Sequence, residues 1–282
     1  MSRQKITDEQ ISNFVKEIVQ RTFENLSFDT NKIPKKIIQF WDNSEQLPTD
    51  VNECIQSWSQ LDSLGYERLL FNNEKAREFI LEKLGNKYTN AYDKCYHPAM
   101  QSDYFRLCYI FIEGGCYIDA DDVYSGADIN YLFNDNRLKI QPLCYDISTQ
   151  SMVSPSIFTK VGAYSSSWIF YFNNNPLIAK SKHPIIEQAL SLATLLLLES
   201  DTSDSLPEIQ STTGPGNITK SITNILRETN IEEQLILVLT DWENIAKSKW
   251  PLSYRNDARN WRLSNCQDFK DSNLSGFYEK KF

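Results

Sequence analysis

Asp119-Ala120-Asp121-Asp122 follows directly on the apolar run Cys116-Tyr117-Ile118. In open α/β sheets, ligands gather beyond the carboxyl ends of the strands, so acids placed there are candidates for chemistry. On an extended backbone the side-chain period of two would put Asp119 and Asp121 on one side. Two carboxylates facing one way make a hard-oxygen site for Mg²⁺ or Mn²⁺. Such ions take one or two protein carboxylates and fill their other positions with water and phosphate oxygens. Alone the motif is weak, because acidic triplets also form solvated turns. An EF-hand is excluded: counting from Asp119, the sixth position is Tyr124 rather than Gly, and the twelfth is Asn130 rather than Glu.

A second charged pair lies shortly upstream. Asp103 and Arg106 are three residues apart and share a face if the segment is helical. As a surface ion pair they would contribute little. Tyr104, Leu107, Cys108 and Phe111 make the segment largely apolar, however, so a fully solvated face is not expected. Gly114-Gly115 ends the helix and reverses the chain into the acidic strand. The Asp/Arg pair and the acidic motif should therefore lie close together.

The positioning elements follow from hydrophobic periodicity. Thr7 and Gln10 resemble a capping box, and Ile11, Phe14, Val15, Ile18, Val19 and Phe23 recur at helical spacing. We expect an amphipathic helix over 8–26, within an N-terminal unit 1–30 that packs on a main domain 31–282. Contact with a partner or a membrane surface is the alternative use of that helix. Strands are expected at 36–41, 66–71, 116–118, 138–147, 167–172 and 234–240. Helices are expected at 49–63, 74–84, 101–113, 184–199 and 216–228, and a polar loop at 200–213. Alternating strands and helices mean an α/β fold.

Composition narrows the function classes. The 282 residues are 41% hydrophobic and 23% charged, a globular balance. A net charge of −8 argues against nucleic acid or an anionic membrane as partner. The six cysteines form no C-x-x-C pair, so a zinc ribbon is not expected. The start carries no apolar leader, and the apolar run 190–198 is too short for a transmembrane segment. These features together suggest a cytoplasmic protein, with a membrane-peripheral placement left open.

Ser102-Asp103-Tyr104-Phe105-Arg106-Leu107, Gly114-Gly115 and Tyr117-Ile118-Asp119-Ala120-Asp121 together resemble the core signature of the Asp-x-Asp sugar-transferase family, glycosyltransferase family 32, which is distantly like the clostridial glucosylating toxins. Three further segments agree in order: Ile33-Pro34 through Phe40-Trp41, Asn173-Asn174-Asn175-Pro176 with His183-Pro184, and Thr213-Gly214-Pro215 with Ile218-Thr219. The resemblance implies a GT-A fold, the Rossmann-like nucleotide-diphospho-sugar transferase fold, with additional helices. It implies a UDP- or GDP-sugar as donor, Mn²⁺ or Mg²⁺ as cofactor, and a glycan or glycolipid as acceptor, with retention at the anomeric carbon. Trp41 is then similar to the residue that stacks the base. Asp103 and Arg106 look like the pair gripping the donor sugar, Asp119 and Asp121 like the pair holding ribose and metal. Asn175 and Gly214 fall on donor-side positions, and the resemblance gives Asp103, Arg106 and Asp121 the catalytic roles.

Two departures stand out. The opening strand reads Ile37-Ile38-Gln39 where the family often has Ile-His-Gln. A late metal ligand is also not evident: Asp257, Asn260, Ser264 and Asn265 are the candidates, and Trp261-Arg262 could close as a lid. Two alternatives remain open. Asp119-Ala120-Asp121-Asp122-Val123 also resembles the nucleophile motif of a haloacid-dehalogenase-like phosphatase, with Asp119 as nucleophile, although its later acidic pair is missing. The chain could also bind a nucleotide sugar without catalysis.

Overall fold

β1 (Lys36–Phe40) is buried on both faces and lies one strand in from the edge of a seven-stranded sheet. The computed structural model describes residues 6–21, 32–200, 205–229 and 235–266. β1 pairs in parallel with β2 (Glu67–Phe71) and with β3 (Gly115–Tyr117). β3 then meets β7 (Trp168–Ala179) in antiparallel register, and β7 meets β5 (Leu138–Asp146) likewise. β5 also carries the short antiparallel β6 (Ser151–Met152) and, in parallel, β8 (Ile236–Val238). The sheet is therefore mixed, and the expected α/β class is what the chain adopts. A separate two-stranded ladder joins β4 (Asp122–Tyr124) to β9 (Ala246–Ser248).

Alternation along the strands feeds two cores. Ile38, Tyr117, Leu177 and Ala179 point into the larger one. That core is filled by α5 (Pro98–Glu113), α7 (Pro184–Glu199) and α9 (Pro215–Thr229), with help from α3 (Asn73–Leu84) and α4 (Asn86–Asp93). Their sequence neighbours Ile37, Cys116 and Ile178 point the other way. They meet Trp58, Leu132, Phe133 and Leu239 in a second core. This is the period of two that a strand buried on both faces requires.

α1 (Asp8–Gln20) begins with the expected capping box: Thr7 and Gln10 exchange side-chain and backbone bonds at 3.2 and 3.0 Å. Val15, Ile18 and Val19 enter the larger core, and Ser12 Oγ accepts the Phe170 N–H at 2.9 Å. The rest of the expected helix, beyond Arg21, lies outside the described residues.

Four elements differ from expectation, the first being the polar loop foreseen over 200–213, which carries a short helix, Ile209–Thr212, begun by Glu208 accepting the Gln210 and Ser211 N–H groups. The helix foreseen over 49–63 is α2 (Thr49–Ser57) followed by a 3₁₀ stretch, Trp58–Leu64. The helix foreseen from 101 starts at Pro98, because His97 caps it by accepting the Ala99 N–H at 3.0 Å. The strand foreseen over 167–172 runs on to Ala179, through the polar triplet Asn173-Asn174-Asn175. That triplet breaks the apolar pattern and falls in the irregularity between two paired stretches, Phe172 on Pro142 and Leu177 on Ile140, where Asn173 Nδ2 donates to Gln141 Oε1 at 3.3 Å.

The reversal between α5 and β3 fixes the site. Gly114 has φ +71°, and a Cβ there would stand 2.8 Å from the Ser181 backbone nitrogen. Gly114→Ala should therefore lower unfolding stability by about 2–3 kcal/mol, through strain at positive φ and a clash with main chain. Urea denaturation measures this, and a loss well under about 1 kcal/mol would show that the reversal yields easily.

Candidate active site

A cavity of about 430 Å³ lies beyond the carboxyl ends of β1 and β3, a size usual for a small-ligand site. Its floor is built by one buried side chain. Arg106, on α5, donates from Nη2 to Asp119 Oδ1 at 2.9 Å and to Ser102 Oγ at 3.1 Å. The same nitrogen lies 3.0 Å from Asp103 Oδ1. Nη1 donates to the Asn174 carbonyl at 2.8 Å, and the guanidinium sits 4.2 Å from the Tyr117 ring centre. Burial works against the charge, but Asp119, Tyr117 and Asp103 more than offset it and hold Arg106 above its ordinary pKa. The two sequence motifs are thus joined by direct bonds.

Asp103 is nearly closed off, and burial pushes its carboxyl up to about 6, against the pull of Arg106. It accepts from Asn174 Nδ2 at 2.8 Å. Gly214 stands behind it: a Cβ at Gly214 would lie 3.1 Å from Asp103 Oδ2. Gly214 therefore acts here as the space that admits the carboxylate, next to the start of α9.

The acidic motif is a turn, not an extended run. The Asp119 carbonyl accepts the Asp122 N–H at 3.2 Å and a bond from Gln39 Nε2 at 3.3 Å. Asn175 holds the turn from β7: its Oδ1 accepts the Asp119 N–H at 3.0 Å, and its Nδ2 donates to Asp122 Oδ2 at 2.8 Å. The strand-like alternation expected for Asp119 and Asp121 is lost, because the ladder ends at Tyr117 and the chain folds back into β4. Both carboxylates still line the cavity, but they meet different walls. Asp119 faces Arg106. Asp121 accepts from Tyr254 Oη at 2.7 Å, from Ser248 Oγ at 3.3 Å and from the Arg255 guanidinium in a short contact. Burial, with Asp121 and Asp119 beside it, pushes the Asp122 carboxyl well above the usual range. Burial raises Asp119 as well, with Arg106 pulling the other way and Asp121 adding to the rise.

Charge counting bears on a metal. Asp103, Asp119, Asp121 and Asp122 share two close cations, Arg106 and Arg255. Arg259 is engaged elsewhere, by Asp42 at 3.5 Å and Asp257 at 3.1 Å. The four carboxyls thus outnumber their close cations, and burial raises three of them, Asp103, Asp119 and Asp122. Among the described residues no group of three or more His, Cys, Asp or Glu is arranged to hold a metal. A site here would rest on Asp119 and Asp121, oxygen donors whose number and hardness fit Mg²⁺ or Mn²⁺.

Trp41 lines the cavity just after β1, yet only 7% of it is exposed. Val51 and Ile55 pack with it, and Tyr254 meets its ring edge-on at 5.4 Å. The four late ligand candidates are occupied: Asp257 by Arg259, Asn260 by the Arg255 carbonyl, Ser264 by His97 and the Ala258 carbonyl, Asn265 by Glu208 and Ile209. Trp261 and Arg262 are also among the lining residues. His97 Nε2, 2.8 Å from the Ala258 carbonyl, ties this tail to the start of α5.

Sequence reasoning missed Asn174, Tyr254 and Arg255. The three consecutive asparagines in an apolar strand were a signal for the first. For Tyr254 and Arg255 the sequence holds no local signal, because Asp121 lies 133 and 134 residues away.

Residues 48–138 match the family model described as a glycosyltransferase sugar-binding region containing a DXD motif. An uncharacterized glycosyltransferase of Acanthamoeba polyphaga mimivirus is 27% identical over 92 residues, which is 32% of this chain and 36% of that protein. The match thus spans about a third of the relative's length. The solved glycosyltransferase PaToxG aligns over 79% of this chain and 76% of its own, with TM-score 0.44 and 15% identity. The stretch that matches the family model supplies α5, β3 and the acidic turn. Among the described residues no helix is long and apolar enough to cross a membrane.

The raised Asp103 carboxyl has a measurable consequence. Between about pH 4 and 6 the native protein keeps a proton that the unfolded chain has released. Stability from this group therefore falls as pH rises through that window. Asp103→Asn should flatten the fall by up to about 2–3 kcal/mol, read from urea midpoints at pH 4, 5 and 6. An unchanged slope would mean that Asp103 is ionised throughout.

Proposed function

We propose that the chain transfers a sugar from a nucleoside-diphosphate sugar to a hydroxyl of a glycan or glycolipid, with retention at the anomeric carbon. The observation that carries this reading is the bonded cluster of Asp103, Arg106 and Asp119 at a cavity inside the matched region. In this reading Asp103, oriented by Asn174, offers carboxylate oxygen to the donor sugar's hydroxyls. Arg106 holds Asp119 in place and adds positive potential beneath the reacting bond. Asp119 and Asp121 are the residues that would hold Mn²⁺ or Mg²⁺, which when bound supplies Lewis-acid stabilisation of the leaving diphosphate. Trp41, Tyr254 and Trp261 give the cavity aromatic walls that suit a nucleoside. The phosphatase alternative requires an Asp119 carboxylate free to attack phosphorus, and Arg106 binds that carboxylate. The two parts 1–30 and 31–282 serve as one catalytic body, with α1 bracing β7.

Melting temperatures with UDP, GDP, dTDP and CMP, each with and without Mn²⁺, test the reading. A ligand at 100 times its Kd stabilises by about 2.7 kcal/mol. One nucleoside diphosphate should raise Tm by about 5–10 °C, and only with metal. If none of the four shifts Tm under either condition, the transferase reading fails. Asp121→Ala should reduce transfer at least about 100-fold while far-UV circular dichroism stays native. Normal turnover by that variant would remove Asp121 from the metal site.

A further inference from the structure

Asp121 is held by a cation of the chain's own tail. Arg255 Nη2 donates both to Asp121 Oδ2 and to Ser248 Oγ, the latter at 3.1 Å. Its Nε is buried and has no hydrogen-bond partner among the described residues. Two more cavity-lining side chains share that state, Arg106 at Nε and Trp41 at Nε1. These side chains place N–H donors and two positive charges around one cavity, which suits a ligand rich in acceptor oxygens. A diphosphate has that chemistry.

Arg255 is also built to stay in place without Asp121. Its guanidinium lies 3.5 Å from the centre of the Trp250 ring, close enough for a strong cation–π contact. Its carbonyl accepts from Asn260 Nδ2 at 2.7 Å, and its N–H donates to the Leu252 carbonyl at 3.1 Å. The Asp121 contact is thus one of several supports and, among the described residues, the one ion pair Arg255 makes.

From these observations, and resting on the donor chemistry proposed above, we infer that Arg255 is a second donor-binding cation. It neutralises Asp121 in the ligand-free protein. It exchanges that carboxylate for a diphosphate oxygen when a nucleoside diphosphate and a divalent ion enter together. One carboxylate oxygen cannot serve a guanidinium at contact distance and an inner-shell metal ion equally well. Arg255 therefore opposes binding of metal alone and favours binding of metal with diphosphate. The consequence is ordered loading: the site takes up the ion with its nucleotide.

Two titrations test this on the full chain. Mn²⁺ alone is followed by the electron paramagnetic resonance signal of the free ion, and UDP or GDP at saturating Mn²⁺ is followed by calorimetry. Arg255→Gln should bind Mn²⁺ alone about 10-fold more tightly than the native protein, and the diphosphate about 10-fold more weakly. In an Asp121→Asn background, the Arg255 substitution should change Mn²⁺ affinity less than about 2-fold, because the competed carboxylate is gone. If Arg255→Gln fails to fold, Arg255→Lys keeps the charge but loses the planar fork, and should give the same signs at smaller size. Equal Mn²⁺ affinity in native and variant protein would overturn the inference, as would an unchanged diphosphate affinity. Both of those results leave the transferase reading standing. If the native protein binds neither diphosphate, that reading fails and this inference with it.

Discussion

The fold around the cavity depends on keeping one guanidinium charged out of water. An arginine inside a protein is tolerated only when its donors are matched by anionic or dipolar acceptors. Arg106 has acceptors on three elements: Asp103 and Ser102 on its own helix, Asp119 after β3, and the Asn174 carbonyl on β7. A helix, a turn and a strand distant in sequence are therefore locked to a common point. This accounts for several local choices. Gly114 lets α5 reverse tightly enough to bring Asp119 back over Arg106. Gly214 leaves room for the carboxylate of Asp103. Asn174 serves the pair twice, through its carbonyl to Arg106 and its amide to Asp103.

The same cluster is over-supplied with acid, and the surplus shapes the cavity. Burial raises the carboxyls of Asp103 and Asp119 above their usual values, and Arg106, shared between the two, offsets that rise only in part. Asp122 is relieved differently, by the Asn175 amide, a dipole rather than a charge. Asp121 is relieved by Arg255. Three carboxylates within four residues thus receive partners from three parts of the chain, two guanidinium groups and one amide. The low polarizability of a buried site makes each pairing matter more than it would in water. It also explains why β9 and the tail fold against the acidic turn: Ser248, Tyr254 and Arg255 all reach the same Asp121 oxygen.

How much of this was legible depends on the range of the interaction. The α/β class, the capping box at Thr7 and the nearness of Asp103, Arg106 and Asp119 follow from local patterns, because periodicity and the Gly114-Gly115 stop are read within a few residues. The path of β7 through Asn173-Asn174-Asn175 was not legible, since the pairings that flank it, Phe172 with Pro142 and Leu177 with Ile140, join distant parts of the chain and the triplet opposes the apolar pattern. Nor was the role of Asn175, which stood out in the motif but whose contacts with Asp119 and Asp122 span more than fifty residues. The Asp121–Arg255 bond joins positions 134 apart. Nothing near Arg255 marks it out from the other tail arginines, Arg259 and Arg262.

The turn at Asp119 changes what the motif means physically. In an extended strand, two aspartates would share a side merely because the pleat repeats every two residues. Here the pleat has ended, and the two carboxylates converge on one cavity although each answers a different wall. Asp119 belongs to the rigid half, fixed by Arg106, Asn175 and Gln39 from the sheet and α5. Asp121 belongs to the half completed by the tail. A ligand gripped by both carboxylates would therefore bridge the two halves, and its affinity would depend on how the tail is held. His97, with its Nε2 on Ala258 and Ser264 and its Nδ1 on the first N–H of α5, makes that hold. The helix that carries Arg106 thus also anchors the segment that carries Arg255, and one element governs the position of both cations.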